Sequence, residues 1–114
     1  MLLIHEPVGQ RLTRTEAESR AVYDRMLRFG TDLKTRGLLL ASESLASQDE
    51  AVRVQVSGGR AHVLDGPFAE AKEMVGGFFL IDCQTREEAV AIAGQCPAAE
   101  WATLEVRGLG PCFA

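Results

Sequence analysis

The sequence predicts an α+β fold, a ferredoxin-like βαββαβ array with an extra β-hairpin inserted after its second strand. Three observations carry this expectation. Two segments open on Thr-x-x-Glu helix starts and are flanked by short apolar runs. Valines at 52, 54 and 56 alternate with polar residues ahead of Gly58-Gly59, the pattern of a tight hairpin. The runs Leu38 to Ala41 and Val75 to Ile81 are apolar at successive positions, as in strands buried on both faces.

The elements follow in order. Leu2-Leu3-Ile4 reads as a first strand, stopped by Pro7 and Gly9. Two overlapping start signals follow, Thr13 with Glu16 and Thr15 with Glu18, in which the hydroxyl accepts from a free backbone N–H and the carboxylate reaches back. Val22, Met26, Phe29 and Leu33 then recur at helical spacing, with Tyr23 and Leu27 at the stripe's edge. Gly37 supplies the left-handed stop, so the first helix is expected over residues 14–36. Leu38 to Ala41 is the second strand, and Ser42 to Glu50 a polar loop. In the hairpin, a two-residue turn at Gly58-Gly59 sets Val56 opposite Ala61, Val54 opposite Val63 and Val52 opposite Asp65. The same register collects Arg53, Gln55 and His62 on the other side. Asp65 to Glu73 is a loop and Val75 to Ile81 a central strand. Thr85 with Glu88 starts the second helix, whose inner stripe is Ala89, Ile92, Ala93 and Cys96 and whose end is Pro97. Thr103 to Arg107 is the last strand.

The chain's 114 residues suit one domain, taken as 1–114, with a single core. Charged residues at 25% and apolar residues at 46% are globular proportions. A formal charge of −4, with basic residues scattered among acidic ones, argues against nucleic acid as a partner. No apolar run reaches the length of about 20 residues that a membrane span needs. The N-terminus lacks the basic region of a signal peptide. Cys83, Cys96 and Cys112 are an odd set without CxxC spacing, which suggests reduced thiols in a cytoplasmic protein with no zinc site. No cofactor or metal is expected.

Two helices cover only one face of a ferredoxin-like sheet, yet two strands offer apolar side chains to both. Leaving residues such as Phe78 and Leu80 in water forgoes about 1.5–3 kcal/mol each. No segment remains to cover that face, so a homodimer with sheet packed on sheet about a two-fold axis is expected.

The densest functional feature is the stretch from Val63 to Phe78, which contains Asp65-Gly66-Pro67-Phe68, Glu70, Lys72, Glu73 and Gly76-Gly77. This string resembles the signature of the YCII-related family in its DGPF branch. The likeness extends to Met1 to Ile4, Gly37 to Leu40, Ala51 to Val54, Thr85 to Ala89 and Leu104 to Arg107, nearly the whole chain. It implies a dimeric α+β barrel and, for this branch, companions of extracytoplasmic-function sigma factors. Three departures stand out. Gly108 follows Arg107 where the family has proline, and Met74 replaces a residue that is commonly polar. The first helix also lacks the histidine of the His–Asp pair proposed for closer YCII relatives.

The candidate residues divide between chemistry and architecture. Asp65, on the apolar side of the hairpin, reads either as a general acid or base or as a loop cap binding the N–H groups of Phe68 to Glu70, and the turn chemistry of Gly-Pro favours the cap. His62 with Arg53 and Gln55 forms the alternative polar cluster. Glu70, Lys72 and Glu73 are a pocket mouth or solvated ion pairs, and Phe68 is a core or interface plug or a ligand platform. Gly76 and Gly77 require a bulge or a close approach of ligand or backbone. Glu105 and Arg107 share a strand face and are expected to pair with the loop charges. Two functions result. One is a binding or accessory homodimer holding a small molecule beside Arg53, Phe68, Glu70, Lys72, Gly76 and Gly77. The other is a lyase- or isomerase-type enzyme in which Asp65 or His62 moves a proton. The missing helix histidine favours the first.

Overall fold

The computed structural model describes residues 1–113. The chain runs β1 (Leu2–Pro7), α1 (Glu16–Thr35), β2 (Leu39–Ser44), β3 (Val52–Ser57), β4 (Arg60–Asp65), β5 (Glu73–Ile81), α2 (Arg86–Gln95) and β6 (Thr103–Val106), with 3-10 turns at Gln10–Thr13, Gln48–Glu50 and Pro97–Glu100. The main sheet has the order β2-β5-β1-β6 with every pair antiparallel, and β3 and β4 form a separate two-stranded sheet. This is the expected ferredoxin-like order with its inserted hairpin. Among the described residues no helix is long and apolar enough to cross a membrane.

Of the two start signals for α1, the second is used. Thr15 accepts from the Glu18 N–H, and the Glu18 carboxylate accepts from the Thr15 N–H. The hydrogen bond from the Thr15 backbone N–H, then one with the Thr15 side chain, hold the Glu18 carboxyl below its ordinary range. Thr13 instead donates to the Gln10 carbonyl within the preceding 3-10 turn. At α2 only half of the box closes: Thr85 accepts from the Glu88 N–H, while the Glu88 carboxylate accepts from Gln84. Gly37 takes the left-handed conformation at the end of α1 (φ 73°). β1 continues three residues beyond Ile4. β6 pairs with it only as far as His5, so Pro7 lies where one flank of the strand is free and a missing N–H costs little.

The core fills the space between the sheet and its helices. Leu2, Ile4, Phe79 and Ile81 point toward Phe29 and Leu33 of α1 and Ala89, Ile92 and Ala93 of α2. Phe29 meets Phe79 edge to face at 5.2 Å, the ring geometry that quadrupoles favour. Cys96 is buried against Met26, and burial pushes its thiol pKa up. The 3-10 turn after α2 is tied to α1 by Arg25, which donates to both carboxylate oxygens of Glu100 and lies over the Trp101 ring.

Among the described residues, no helix packs on the opposite sheet face. Leu3, Phe78 and Leu80 are only partly covered, and Leu40 is 62% exposed. The expected burial of β2 on both faces is therefore not met, because no described residue packs over that face. The hairpin is also bare: all twelve residues of β3 and β4 are exposed. The molecule is accordingly a slab of 48 × 42 × 19 Å with a radius of gyration of 16.1 Å, against about 13 Å for a compact chain of this length. Its accessible surface is 8089 Å², where a compact monomer of this mass exposes about 6,100 Å².

One irregularity shapes the sheet. Ile4 pairs with Gly77 but His5 pairs with Val75, so Gly76 is an extra residue on β5. Both glycines are required by close approach. A Cβ on Gly76 would collide with the buried Glu6 carboxylate, and one on Gly77 would come within 2.8 Å of the Glu43 carbonyl oxygen. Gly94 in α2 has open space around it. Gly77→Ala is therefore expected to cost about 1–3 kcal/mol, and Gly94→Ala to add about 0.4–1 kcal/mol, both read from urea unfolding.

Candidate functional site

The loop after β4 is shaped by backbone contacts. The Gly66 N–H donates to the Ala51 carbonyl at 2.8 Å and closes the base of the hairpin. A side chain at Gly66 would run into the Gln48 carbonyl, so only glycine fits this crossing. The Gly66-Pro67 peptide is cis. Beyond it the chain turns, with the Ala71 N–H donating to the Phe68 carbonyl, and Phe68 drops into the protein at 7% exposure. Phe68 and the likewise buried Met74 lie outside the main core. Met74 accepts from the Gln48 N–H through sulfur. The Arg53 guanidinium lies 3.8 Å from the centroid of the Phe68 ring, an interaction worth about 0.5–1 kcal/mol where water has access.

Between this loop, the hairpin base and the end of the sheet lies a cleft of about 560 Å³. Phe68, Met74 and Val75 give it apolar walls, and His5, Arg53 and Glu73 supply its polar groups. The bulge at Gly76 turns Val75 to the same side as its partner His5. Gln48 is a further lining residue, buried, whose side-chain Nε2 has no acceptor among the described residues.

His5 is held by a carboxylate. Its Nε2 lies 2.7 Å from Oε1 of Glu105, on the neighbouring strand β6. Arg107 donates to the other oxygen of Glu105. The hydrogen bond from His5, then that from Arg107, keep the Glu105 carboxyl below its ordinary 4.5. Such a carboxylate fixes the orientation of the ring. Glu6, the next residue on β1, points to the helix side, where Arg11 donates to both of its oxygens at 2.7 and 3.0 Å. Glu6 is 8% exposed; two parallel bonds from a guanidinium give a buried carboxylate its partner.

The sequence-derived candidates separate around this cleft. Arg53 and Phe68 line it and touch each other. Asp65, His62, Glu70 and Lys72 are exposed and are not among its lining residues. The expected register holds throughout: Val52 is opposite Asp65, Val54 opposite Val63 and Gln55 opposite His62. His62 thus sits mid-hairpin, away from the cleft. The cap role for Asp65 is corrected. Among the described residues its carboxylate accepts no hydrogen bond, and the Gly66–Ala51 backbone bond closes the turn instead. Gly76 and Gly77 answer to Glu6 and the Glu43 carbonyl rather than to a cleft ligand. Glu105 and Arg107 pair with His5 and with each other, not with the loop. Sequence reading missed His5, Glu6, Arg11 and Gln48. Among the described residues no group of three or more His, Cys, Asp or Glu side chains is placed to hold a metal ion.

An antiparallel ferredoxin-like sheet with one uncovered face, an inserted hairpin, and a cleft lined by Phe68 of the Asp-Gly-Pro-Phe loop characterise this α+β fold. The model of the YCII-related domain matches residues 1–111, and the chain belongs to that family. It is also 49% identical over 43 residues to the uncharacterized protein R00369 of Rhizobium meliloti (strain 1021). That match takes in 38% of this chain and 35% of the relative.

Asp65→Asn is expected to change stability by less than about 0.5 kcal/mol, as at an exposed site without partners; urea unfolding reads this directly. Because Glu105 is more acidic folded than unfolded, its contribution is fully present above 4.5 and is lost as pH falls through the lower folded value. Glu105→Gln should flatten that acid limb in a series of unfolding curves run at decreasing pH.

Proposed function

We propose that the protein is a homodimer that binds a small molecule in the cleft beside the Asp65-Gly66-Pro67-Phe68 loop. The observation that carries this reading is the junction of Arg53 and Phe68. A cation stacked on a buried ring at the mouth of a half-apolar cleft can hold a flat or acyl body and orient its polar end. Gln48, whose Nε2 has no acceptor among the described residues, lines the same cleft. The homodimer half of the proposal rests on area. The chain exposes about 2,000 Å² more than a compact monomer would, and obligate dimers bury that order of surface.

A second reading, proton transfer of lyase or isomerase type, is favoured by one feature, the His5–Glu105 pair at the edge of this cleft. A histidine oriented by a carboxylate is the usual form of a general base. In this reading His5 takes the role first considered for Asp65 or His62, both of which lie away from the cleft.

A thermal-shift screen of small carboxylates, amides and amines against the purified protein tests the binding reading. A true ligand at 100 times its Kd adds about 2.7 kcal/mol of stability. Arg53→Gln should weaken that ligand by about tenfold or more, while Arg60→Gln at the hairpin tip should leave its affinity unchanged. Equal affinity in the parent and Arg53→Gln would remove the cleft as the binding site.

A further inference from the structure

Among the described residues, the β3–β4 hairpin is not covered. Val52, Val54, Val56 and Val63 share one side of it and are 53%, 61%, 71% and 63% exposed. Single exposed valines are ordinary, but four in one contiguous stripe mark a contact surface. A two-stranded hairpin is also marginal in water without a surface to pack on.

The side that meets its own protomer is already fixed. Arg53 lies on Phe68, and successive side chains alternate across a strand, so the valine side is turned away from the loop that anchors the hairpin. The Gly66–Ala51 bond and the Arg53–Phe68 contact hold the base in that orientation. Gly58 and Gly59 both take positive φ (59° and 73°), which makes a tight, twist-matched tip and keeps the two strands in register.

We infer that the β3–β4 hairpin is an arm whose valine side packs on a second copy of this chain, against the uncovered sheet face that carries Leu40, Phe78 and Leu80. This rests on the homodimer reading above and adds the element that makes the contact. The occupant follows from area and symmetry. Among the described residues the sheet face and the arm are two bare apolar surfaces without a cover, and a two-fold operation pairs the arm of each protomer with the face of the other. Because Arg53 and Phe68 lie at the arm's base, the second copy also approaches the mouth of the ligand cleft.

The arm is tested by charging its two sides separately. V54K/V63E places an opposite-charge pair at facing positions on the valine side, and Q55K/H62E does the same at the adjacent pair on the polar side. Each pair is compatible with a hairpin, and both lie at exposed positions, so the protomer fold is retained and is checked by circular dichroism. Sedimentation across the micromolar range then reads assembly. The expected result is a dimeric parent, a Kd for self-association raised about tenfold or more in V54K/V63E by the cost of desolvating the new charges, and little change in Q55K/H62E. A dimeric parent with V54K/V63E equally dimeric, or with both variants equally weakened, overturns the arm and leaves the homodimer standing. A parent that stays monomeric throughout overturns both.

Discussion

The architecture depends on a four-stranded sheet sheltered by its own helices on one side only. α1 and α2 fill the inner face with Phe29, Leu33, Ala89 and Ile92. The outer face keeps the apolar residues that β2 and β5 place on it by alternation. A slab 19 Å thick is one sheet and one helix layer deep, and layered folds reach stability by burying both faces of a sheet or wetting one. Here the outer face is neither polar enough to be wetted nor covered. The excess surface of the chain follows in part from that face.

β1 shows how the sheet divides labour between its faces. His5 and Glu6 are neighbours in sequence and point to opposite sides. Glu6 goes inward, where only a guanidinium with two donors makes a buried carboxylate tolerable. His5 goes outward to Glu105 and the cleft. Gly76 serves both: its missing side chain leaves room for the Glu6 carboxylate, and its insertion sets Val75 beside His5.

Much of the fold was legible because it follows from periodicity. The hairpin register could be read pair by pair, since alternating valines and a two-glycine turn allow one alignment in which Val52, Val54, Val56 and Val63 share a side. The stripe of α2 was legible for the same reason at helical spacing. The polar contacts were not. Glu6 and Arg11 look like solvated residues after a short strand ended by proline, and only the free flank of β1 beyond His5 lets that strand continue. His5 and Glu105 lie at opposite ends of the sequence and meet because β6 pairs with β1, a matter of topology that no local pattern encodes. Asp65 was misread in a different way: the register placed it correctly, but the cap was inferred from turn chemistry that a backbone bond at Gly66 makes unnecessary.

The hairpin's place in the chain also governs how the protein can fold. β2 and β5 are neighbours in the sheet, a connection that a short turn could make, yet the chain travels from Leu45 to Lys72 between them. Replacing a turn of a few residues by such an excursion adds about 2 kcal/mol of closure entropy and raises the contact order on which folding rates depend. β3 and β4 relieve most of that burden, because their pairing is local and the Gly66–Ala51 bond pinches the excursion off at its base. A search for the central strand pairing that begins with the hairpin zipped has only two short connectors left to close, so the tip glycines bear on the speed at which the distant sheet assembles.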